Sequence, residues 1–573
     1  RRRIKAGEKA TFILAVRSWA KCSRPYEYAF SRARWITAED VENLRTRHLA
    51  WWKRFWSMSE ISLDDPVIEQ RYYLSKYMLA SLSRDPDYPP NILGISTFDR
   101  PAWNGNYKIN YNHQSPYLNL MVSGHFEQSD PHDAPYLKLM EISDEMCKRL
   151  LHHEGLYYPL GLGPDGVVSE ALLLHMKSPA LHGALNMIYR YEISQDTRYA
   201  WKVYPYLRGV AEFWEKDLVL RDGVYHVVGD GMHERTDGNI RENGVPEDPV
   251  NTLGYLKTFF TRLPKISEAL ELDEEKRTKW QEIAENLAPY PKGTIREIQD
   301  NPTLWKEVDV KLEDLLPQEM LDKEIYYDEG VGGKWSFHFP GNIMHIYPGN
   351  AVGLGSDQKE LEVARNTVHI HSLVENKLGE LEYKKALERA ADEKKATVVK
   401  HAHFYKAGAF NASNLSCLFF TAAVRTGYDP DIIWNEMRDM IIHRGIPNGF
   451  LKENPHGIEQ LNTIPDAIQE MMLQSYEDVI RIFPVWPRKK HPNASFRNFR
   501  AWGGFEVSAS LKDGEIEKVT VLSHKGNTCR VENPWPEKSV IVKYGYSGRE
   551  EVCFGEYLSI ELQKEEQVLL FVL

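Results

Sequence analysis

Thr37-Ala-Glu-Asp-Val-Glu-Asn-Leu44, continued by Leu49, Trp52 and Phe55, is the stretch on which the reading of the fold turns. Thr37 is a hydroxyl residue suited to accept the free N–H groups at a helix start, and Glu39 and Asp40 set negative charge against the positive end of the helix dipole. The apolar residues that follow recur at helical spacing. Asp65-Pro66 and Asp429-Pro430 repeat the start signal, a capping carboxylate followed by proline at the first helical position. Between them, helices are expected over Ala134–His153, Leu181–Arg190, Ala200–Leu218, Thr252–Leu270, Glu274–Ala288, Lys359–Leu378, Ser413–Thr426, Asp429–His443 and Pro465–Ser475. So many helices each need one face buried, and antiparallel pairing is the usual solution.

The period changes on either side of this helical stretch. Ala10–Arg17 is a β-type run after the turn-like Ala6-Gly7-Glu8, and Lys5–Ala20 reads as a finished strand. Beyond Pro487, Gly504–Leu511 and Ile516–Leu522 alternate apolar and polar residues across a hairpin turn at Lys512-Asp-Gly514. Val568–Leu573 is an apolar run suited to a strand buried on both faces. The basic stretch Arg488–Arg500 is expected to be a solvated linker.

Composition excludes several classes. The chain has 573 residues, 27 % of them charged, and a formal net charge of −11, which disfavours a large nucleic-acid surface. No apolar run approaches the ~20 residues that span a bilayer, so no membrane partner is expected. Five cysteines without C-x-x-C spacing suggest neither a disulfide framework nor a zinc-thiolate site. Gly161-Leu-Gly-Pro-Asp-Gly166 fits a dinucleotide fingerprint by letters only, because its surroundings are helical and Pro164 interrupts it. The pairs His152-His153, His369/His371 and His401/His403 lack zinc-helix spacing and read as ordinary hydrogen-bonded histidines. Neither a metal nor a cofactor is expected.

Three loop segments carry chemistry together. Trp103 to Gln114 alternates Asn110, Asn112 and Gln114 beside Trp103 and Tyr107, amides for a hydroxylated ligand and rings for its apolar face. Gly229-Asp-Gly-Met-His-Glu234 and Asn454-Pro-His-Gly-Ile-Glu459 each bring one carboxylate on a loop. Glycosidic hydrolysis needs such a pair: one acid protonates the leaving oxygen and one carboxylate activates water.

Six further segments occur in one order along the chain: Pro90–Ile95, Asn110–Gln114, His345–Asn350, Glu470–Ser475, Ile482–Pro487 and Arg500–Val507. In these the chain resembles glycoside hydrolase family 95, the inverting α-L-fucosidases and α-L-galactosidases. The resemblance implies a mainly α protein, an (α/α)6 barrel (six-hairpin toroid) with a C-terminal all-β module and a remnant of an N-terminal β-sandwich. The implied divisions are 1–36 for the sandwich end and linker, 37–487 for the catalytic barrel and 488–573 for the β module. It further implies Glu234 as general acid, Asn110 and Asn112 as the amides that hold sugar and water, and Glu459 at the position of an aspartate acting through one of them. Gln114, His113, Trp103, Tyr107, Trp335 and His338 are the expected substrate-binding residues. Two departures stand out: a glutamate at 459, and Ser115-Pro-Tyr-Leu118 where the family has Met-Asn-Tyr-Trp.

The expected substrate is an oligo- or polysaccharide ending in an α-linked L-fucose- or L-galactose-type sugar, and the expected setting is secreted or periplasmic in a bacterium. Two other classes stay open, a carbohydrate-binding pseudoenzyme and a polysaccharide lyase. Oligomeric state is not legible from the sequence.

Overall fold

In the computed structural model, Thr37 Oγ1 accepts the Asp40 N–H at 3.1 Å while the Asp40 carboxylate accepts the Thr37 N–H at 2.9 Å. This reciprocal capping box opens the helix as its letters predict. The structure describes residues 3–94, 102–231, 245–297, 312–329, 341–393, 416–451 and 457–572. They divide into two compact units, Arg1–Glu60 and Ile61–Leu573.

The first unit holds α1 (Pro25–Trp35) and α2 (Ala38–Ser57). The sequence reading missed α1, because its aromatic residues form no single stripe: Tyr26, Tyr28, Phe30 and Trp35 are all exposed. In α2, Trp51 stacks on Phe55 at 5.4 Å and Trp52 on Trp56 at 5.6 Å, one helical turn apart. The expected strand over Lys5–Ala20 does not form. A β-type run alone does not make a strand, which needs a neighbour's N–H and C=O groups, and Ala10–Arg17 has no ladder among the described residues.

Among the described residues, the helices longer than one turn in the second unit are α3 (Pro66–Leu82), α4 (Ser115–Val122), α5 (Phe126–Lys138), α6 (Met140–Leu151), α7 (Pro179–Ser194) and α8 (Thr197–Asp217). They continue with α9 (Val250–Leu270), α10 (Glu274–Glu285), α11 (Gln358–Glu393), α12 (Ser416–Arg425), α13 (Pro430–Arg444) and α14 (Thr463–Met472). Asp65 Oδ1 caps α3 by accepting from Val67 N, and Asp429 Oδ1 caps α13 by accepting from Asp431 N, both before the predicted proline.

Contacts among these helices close a cycle. Helix α4 touches α7, α7 touches α9, and α9 touches the 3-10 turn Gly341–Ile343; that turn touches α11, which touches α12, and α12 touches α14, which returns to α4. The others pack outside: α5 and α8 on α7, α10 on α9, α13 on α12, α3 on α14. This is the (α/α)6 barrel. Helix α7 is buried nearly all round, with fourteen buried residues among its sixteen. On the outer layer, Trp280 of α10 is fully buried and donates Nε1–H to Glu215 of α8 at 2.6 Å.

The C-terminal strands are β1 (Ala494–Ala501), β2 (Phe505–Lys512), β3 (Glu515–Ser523), β4 (Thr528–Glu532), β5 (Val540–Tyr544), β6 (Glu550–Cys553), β7 (Tyr557–Glu561) and β8 (Glu566–Phe571). One antiparallel sheet runs β1-β2-β3-β8-β5-β6, and β4 pairs with β7. The β2–β3 hairpin turns at Asp513 (φ 51°) and Gly514 (φ 83°), two positive-φ residues as a tight hairpin of this hand requires.

Three expectations change here. Arg488–Arg500 is not all linker: from Ala494 it is strand β1, with Phe496 and Phe499 buried beneath the basic side chains. Strand β8 is buried on one face rather than two, since Val568 and Leu570 point inward and Leu569 is only half-buried. The predicted helix Ala134–His153 is two helices: α5, which runs through Pro131 and Pro135, ends at Lys138, Leu139 leaves the helical conformation at φ −101° and ψ 14°, and α6 starts at Met140.

Candidate functional site

The turn Asn106–Gln114 is held from three sides. Tyr107-Lys108 pairs with Gly161-Leu162, so the glycine-rich segment 161–166 is a strand and a turn rather than a nucleotide loop. From inside the barrel, α7 clamps the turn: His182 Nδ1 bonds the Asn110 carbonyl at 3.0 Å and Asn186 Nδ2 donates to the Gln114 carbonyl at 2.9 Å. The third hold is Ile92. Its N–H donates to the Asn106 carbonyl at 3.2 Å, and its carbonyl accepts the Ile458 N–H at 3.1 Å. A single residue's backbone thus spans from the asparagine turn to the residue before Glu459.

Glu459 lies in the short 3-10 turn Ile458–Leu461 and is fully buried. Its carboxylate is close enough to Cys417 of α12 to help burial push that thiol's pKa up. Cys417 Sγ in turn lies 3.6 Å from Ser115 Oγ, three residues past Asn112. The asparagine turn and Glu459 therefore occupy one neighbourhood, at the end of the barrel where α4 begins. Asn110 and Asn112 are 3 % and 6 % exposed, so both amides are buried.

The loop expected to carry Glu234 is described at both ends. On entry, Asp230 is fully buried; its Oδ1 accepts the Lys177 N–H at 2.6 Å and its Oδ2 accepts the Thr252 hydroxyl at 2.6 Å. Burial without a full charge partner pushes its carboxyl up to about 6. At the neck, Gly229 N–H donates to the Pro246 carbonyl at 2.8 Å and Asp248 Oδ2 bonds His226 Nδ1 at 2.7 Å. His226, Glu247 and Asp248 offer ligand atoms within 4.8 Å of one another, the one such group among the described residues. Arg221 already pairs with Glu247, and Asp248 Oδ1 accepts the Val227 N–H at 2.9 Å. Glu234, Trp335 and His338 lie outside the described residues.

The other expected binding residues divide. Trp103 is 56 % exposed, at a left-handed φ of 48° that presents its ring outward. Tyr107 is buried, its hydroxyl pushed up to about 12 by desolvation, and its ring packs on His113 at 5.5 Å. His113 is a core residue: Nε2 bonds the His132 carbonyl at 3.0 Å, and burial pulls its pKa down to about 3. It shapes the turn from behind, because a ring enclosed by Tyr107, Tyr117, His132 and Tyr136 is not presented to a ligand. Gln114 is fully buried, with Nε2 donating to the Ile109 carbonyl at 2.5 Å, while its Oε1 has no hydrogen-bond partner among the described residues. The sequence reading did not single out His182 or Asn186, which sit within helix α7 and carry no loop signal, and in the glycine-rich loop 229–234 it singled out Glu234 rather than Asp230.

Comparison with known proteins identifies the lineage. The glycosyl hydrolase family 95 catalytic domain matches residues 21–311, and the glycoside hydrolase family 95 C-terminal domain matches residues 474–568. The chain belongs to glycoside hydrolase family 95. Among curated proteins no match was found. Of solved structures, a protein from the human microbiome titled as a kojibiose phosphorylase aligns at 12 % identity with a TM-score of 0.49, over 95 % of this chain and 72 % of its own. An α-L-rhamnosidase from Dictyoglumus thermophilum aligns at 12 % identity and a TM-score of 0.41, over 90 % of this chain and 50 % of its own. One from Streptomyces avermitilis, complexed with L-rhamnose, aligns at 12 % identity and 0.39, over 89 % and 42 %. The chain thus spans half or less of the length of these two rhamnosidases. Family membership makes it a glycoside hydrolase with a carbohydrate substrate. Among the described residues no helix is long and apolar enough to cross a membrane.

Proposed function

We propose that this family 95 hydrolase removes a terminal α-linked sugar of the L-fucose or L-galactose type with inversion at the anomeric carbon. Glu234 is the general acid, protonating the leaving oxygen. Glu459, acting with Asn112, orients and deprotonates a water on the opposite face of the ring. Asn110 and Gln114 bind hydroxyls, and Trp103 stacks on the sugar's apolar face. The division into a barrel over 37–487 and a β module over 488–573 belongs to the same reading.

The observation that carries it is Ile92. Two backbone bonds from one residue tie the asparagine turn to the Glu459 turn. Direct displacement by water needs an amide and a carboxylate on one water, and those two turns supply them. Burial of both amides and of Glu459 supports the same role, because a dry site strengthens each hydrogen bond to the water and to the sugar. Inversion requires the acid and the base to stand roughly 6.5–9.5 Å apart, leaving room for that water.

The test is release of monosaccharide from fucosylated and galactosylated oligosaccharides, with the product anomer followed by NMR. A β-configured first product supports inversion. Glu234→Gln should lower kcat on unactivated glycosides by at least ~1000-fold, since the leaving oxygen loses its proton donor. A Glu234→Gln enzyme at the wild-type rate overturns the acid assignment. Tight sugar binding without turnover would identify a binding protein on this fold, and an ultraviolet-absorbing unsaturated product a lyase.

A further inference from the structure

Three residues past Glu459 lies one member of a buried amide pair, Asn462 with Asn119. Asn462 Oδ1 accepts two hydrogen bonds from Asn119, one from its backbone N–H at 3.2 Å and one from Nδ2 at 2.7 Å. Asn462 Nδ2 donates to the Cys417 carbonyl at 3.4 Å. Both asparagines are fully buried. Asn119 is tied in turn: Nδ2 also donates to the Pro116 carbonyl at 3.1 Å, and its own carbonyl accepts the Lys76 ammonium at 2.9 Å. One amide thus joins α14, α4 and α12, with α3 attached through Lys76.

This junction lies directly behind the two groups assigned to water activation. The Asn462 backbone N–H donates to the Glu459 carbonyl at 3.0 Å, one 3-10 turn away. Asn119 stands one helical turn past Ser115, and Ser115 N–H donates to the Tyr111 carbonyl at 2.9 Å, beside Asn112. The path from Glu459 to Asn112 through the clasp is therefore short and made of directional bonds.

We propose that the Asn462–Asn119 clasp is a positioning device that sets the gap between the Glu459 carboxylate and the Asn112 amide. The inference rests on the roles given to Glu459 and Asn112 above. Helices α4 and α14 also touch directly, and the buried apolar residues they carry, among them Leu118, Ile464, Ala467 and Ile468, tolerate axial sliding, because burial of apolar surface has no direction. A hydrogen bond of 2.7 Å does not tolerate it. Misplacing a reacting group by about 1 Å costs on the order of 100-fold in rate. Asn462 and Asn119 touch no substrate, so they are positioning residues.

The test uses the full chain and Asn462→Leu, Asn119→Leu and the double variant, assayed on the nitrophenyl α-L-glycoside that the wild type cleaves. Each single variant should lower kcat about 10- to 100-fold with KM within about threefold. The double variant should regain much of the Tm lost by the singles, since neither amide is left unpaired, while its kcat stays low. A second arm is Asn462→Asp, which keeps the acceptor oxygen. Its kcat should approach wild type at low pH and fall as pH rises, adding an ionisation that the wild-type profile lacks. A folded double variant within twofold of wild-type kcat, or an Asn462→Asp profile parallel to wild type, overturns the proposal. Glu459→Ala separates the two failures: full activity there overturns the site itself, whereas its loss beside a fully active double variant overturns only the clasp.

Discussion

Asp466 sits one helical turn below the Asn462 clasp, 2 % exposed, with its Oδ2 accepting the Thr421 hydroxyl at 2.9 Å. Burial and the neighbouring Glu470 carboxylate raise its carboxyl from an ordinary 3.8 to about 7, although Tyr347 and Arg425 work against the rise. Arg425 is committed to Glu470, with bonds of 2.8 and 3.1 Å, and is flanked by the rings of Tyr347 and Tyr476. The sign of the pH effect follows. The folded state holds a proton on Asp466 that the unfolded chain has already released between about pH 4 and pH 7. Its stabilising contribution is therefore complete below pH 4 and lost as pH rises through 7. Asp230, raised to about 6, adds the same trend over a window ending lower. Asp466→Asn keeps the shape and the Thr421 bond without the charge. Its Tm should vary less between pH 5 and pH 8 than that of wild type and exceed it at pH 8; an unchanged slope in a thermal melt series would refute this.

At the scale of elements, the helix starts were legible because capping is local chemistry: Thr37, Asp65 and Asp429 bond their own helices within three residues. Helix α4 was not legible. Its Ser115-Pro116 start looks like a turn, and a helix buried on every side leaves no apolar stripe to find. The same limit hid much of the site. Asn110, Asn112 and Glu459 stand out as polar residues in loops, but His182, Asn186 and Asn462 act from within or beside buried helices, where their spacing says nothing. His113 shows the reverse error, a histidine beside a functional turn that serves the core. Asp230 links the two kinds of feature, since it fixes both the first turn of α7 and the entry to the loop of Glu234. Asp230→Ala leaves the Lys177 N–H and Thr252 hydroxyl buried without an acceptor, at a cost of about 1–3 kcal/mol each. Urea melts should show that loss, and kcat should fall with it because α7 also clamps the asparagine turn.

At the scale of the second unit, one of the places where barrel and β module meet is the turn between β1 and β2; another is Ile480, whose N–H donates to the Arg530 carbonyl at 2.8 Å. Trp502, between β1 and β2, packs on Tyr189 of α7 at 5.8 Å and lies under the Arg262 guanidinium at 4.6 Å. Its N–H donates to Ser475 Oγ at 3.1 Å, and the next residue, Gly503, donates to the Glu192 carbonyl at 2.8 Å. Trp502→Ala should cost about 3–5 kcal/mol and split a single calorimetric transition into two, one for the barrel and one for the module. The module thus braces the far end of the helix whose near end clamps the asparagine turn. The near end has a brace of another kind in Ile92, whose two bonds are made by main-chain atoms alone. Side-chain substitution at this position leaves the span between the two turns in place, proline excepted, because proline lacks the N–H. Residues on either turn can therefore be exchanged, at 459 or after Asn112, while the backbone link between the two turns persists. On the roles proposed for Glu459 and Asn112, a lineage built this way can change the sugar it accepts without first relearning how to aim a water.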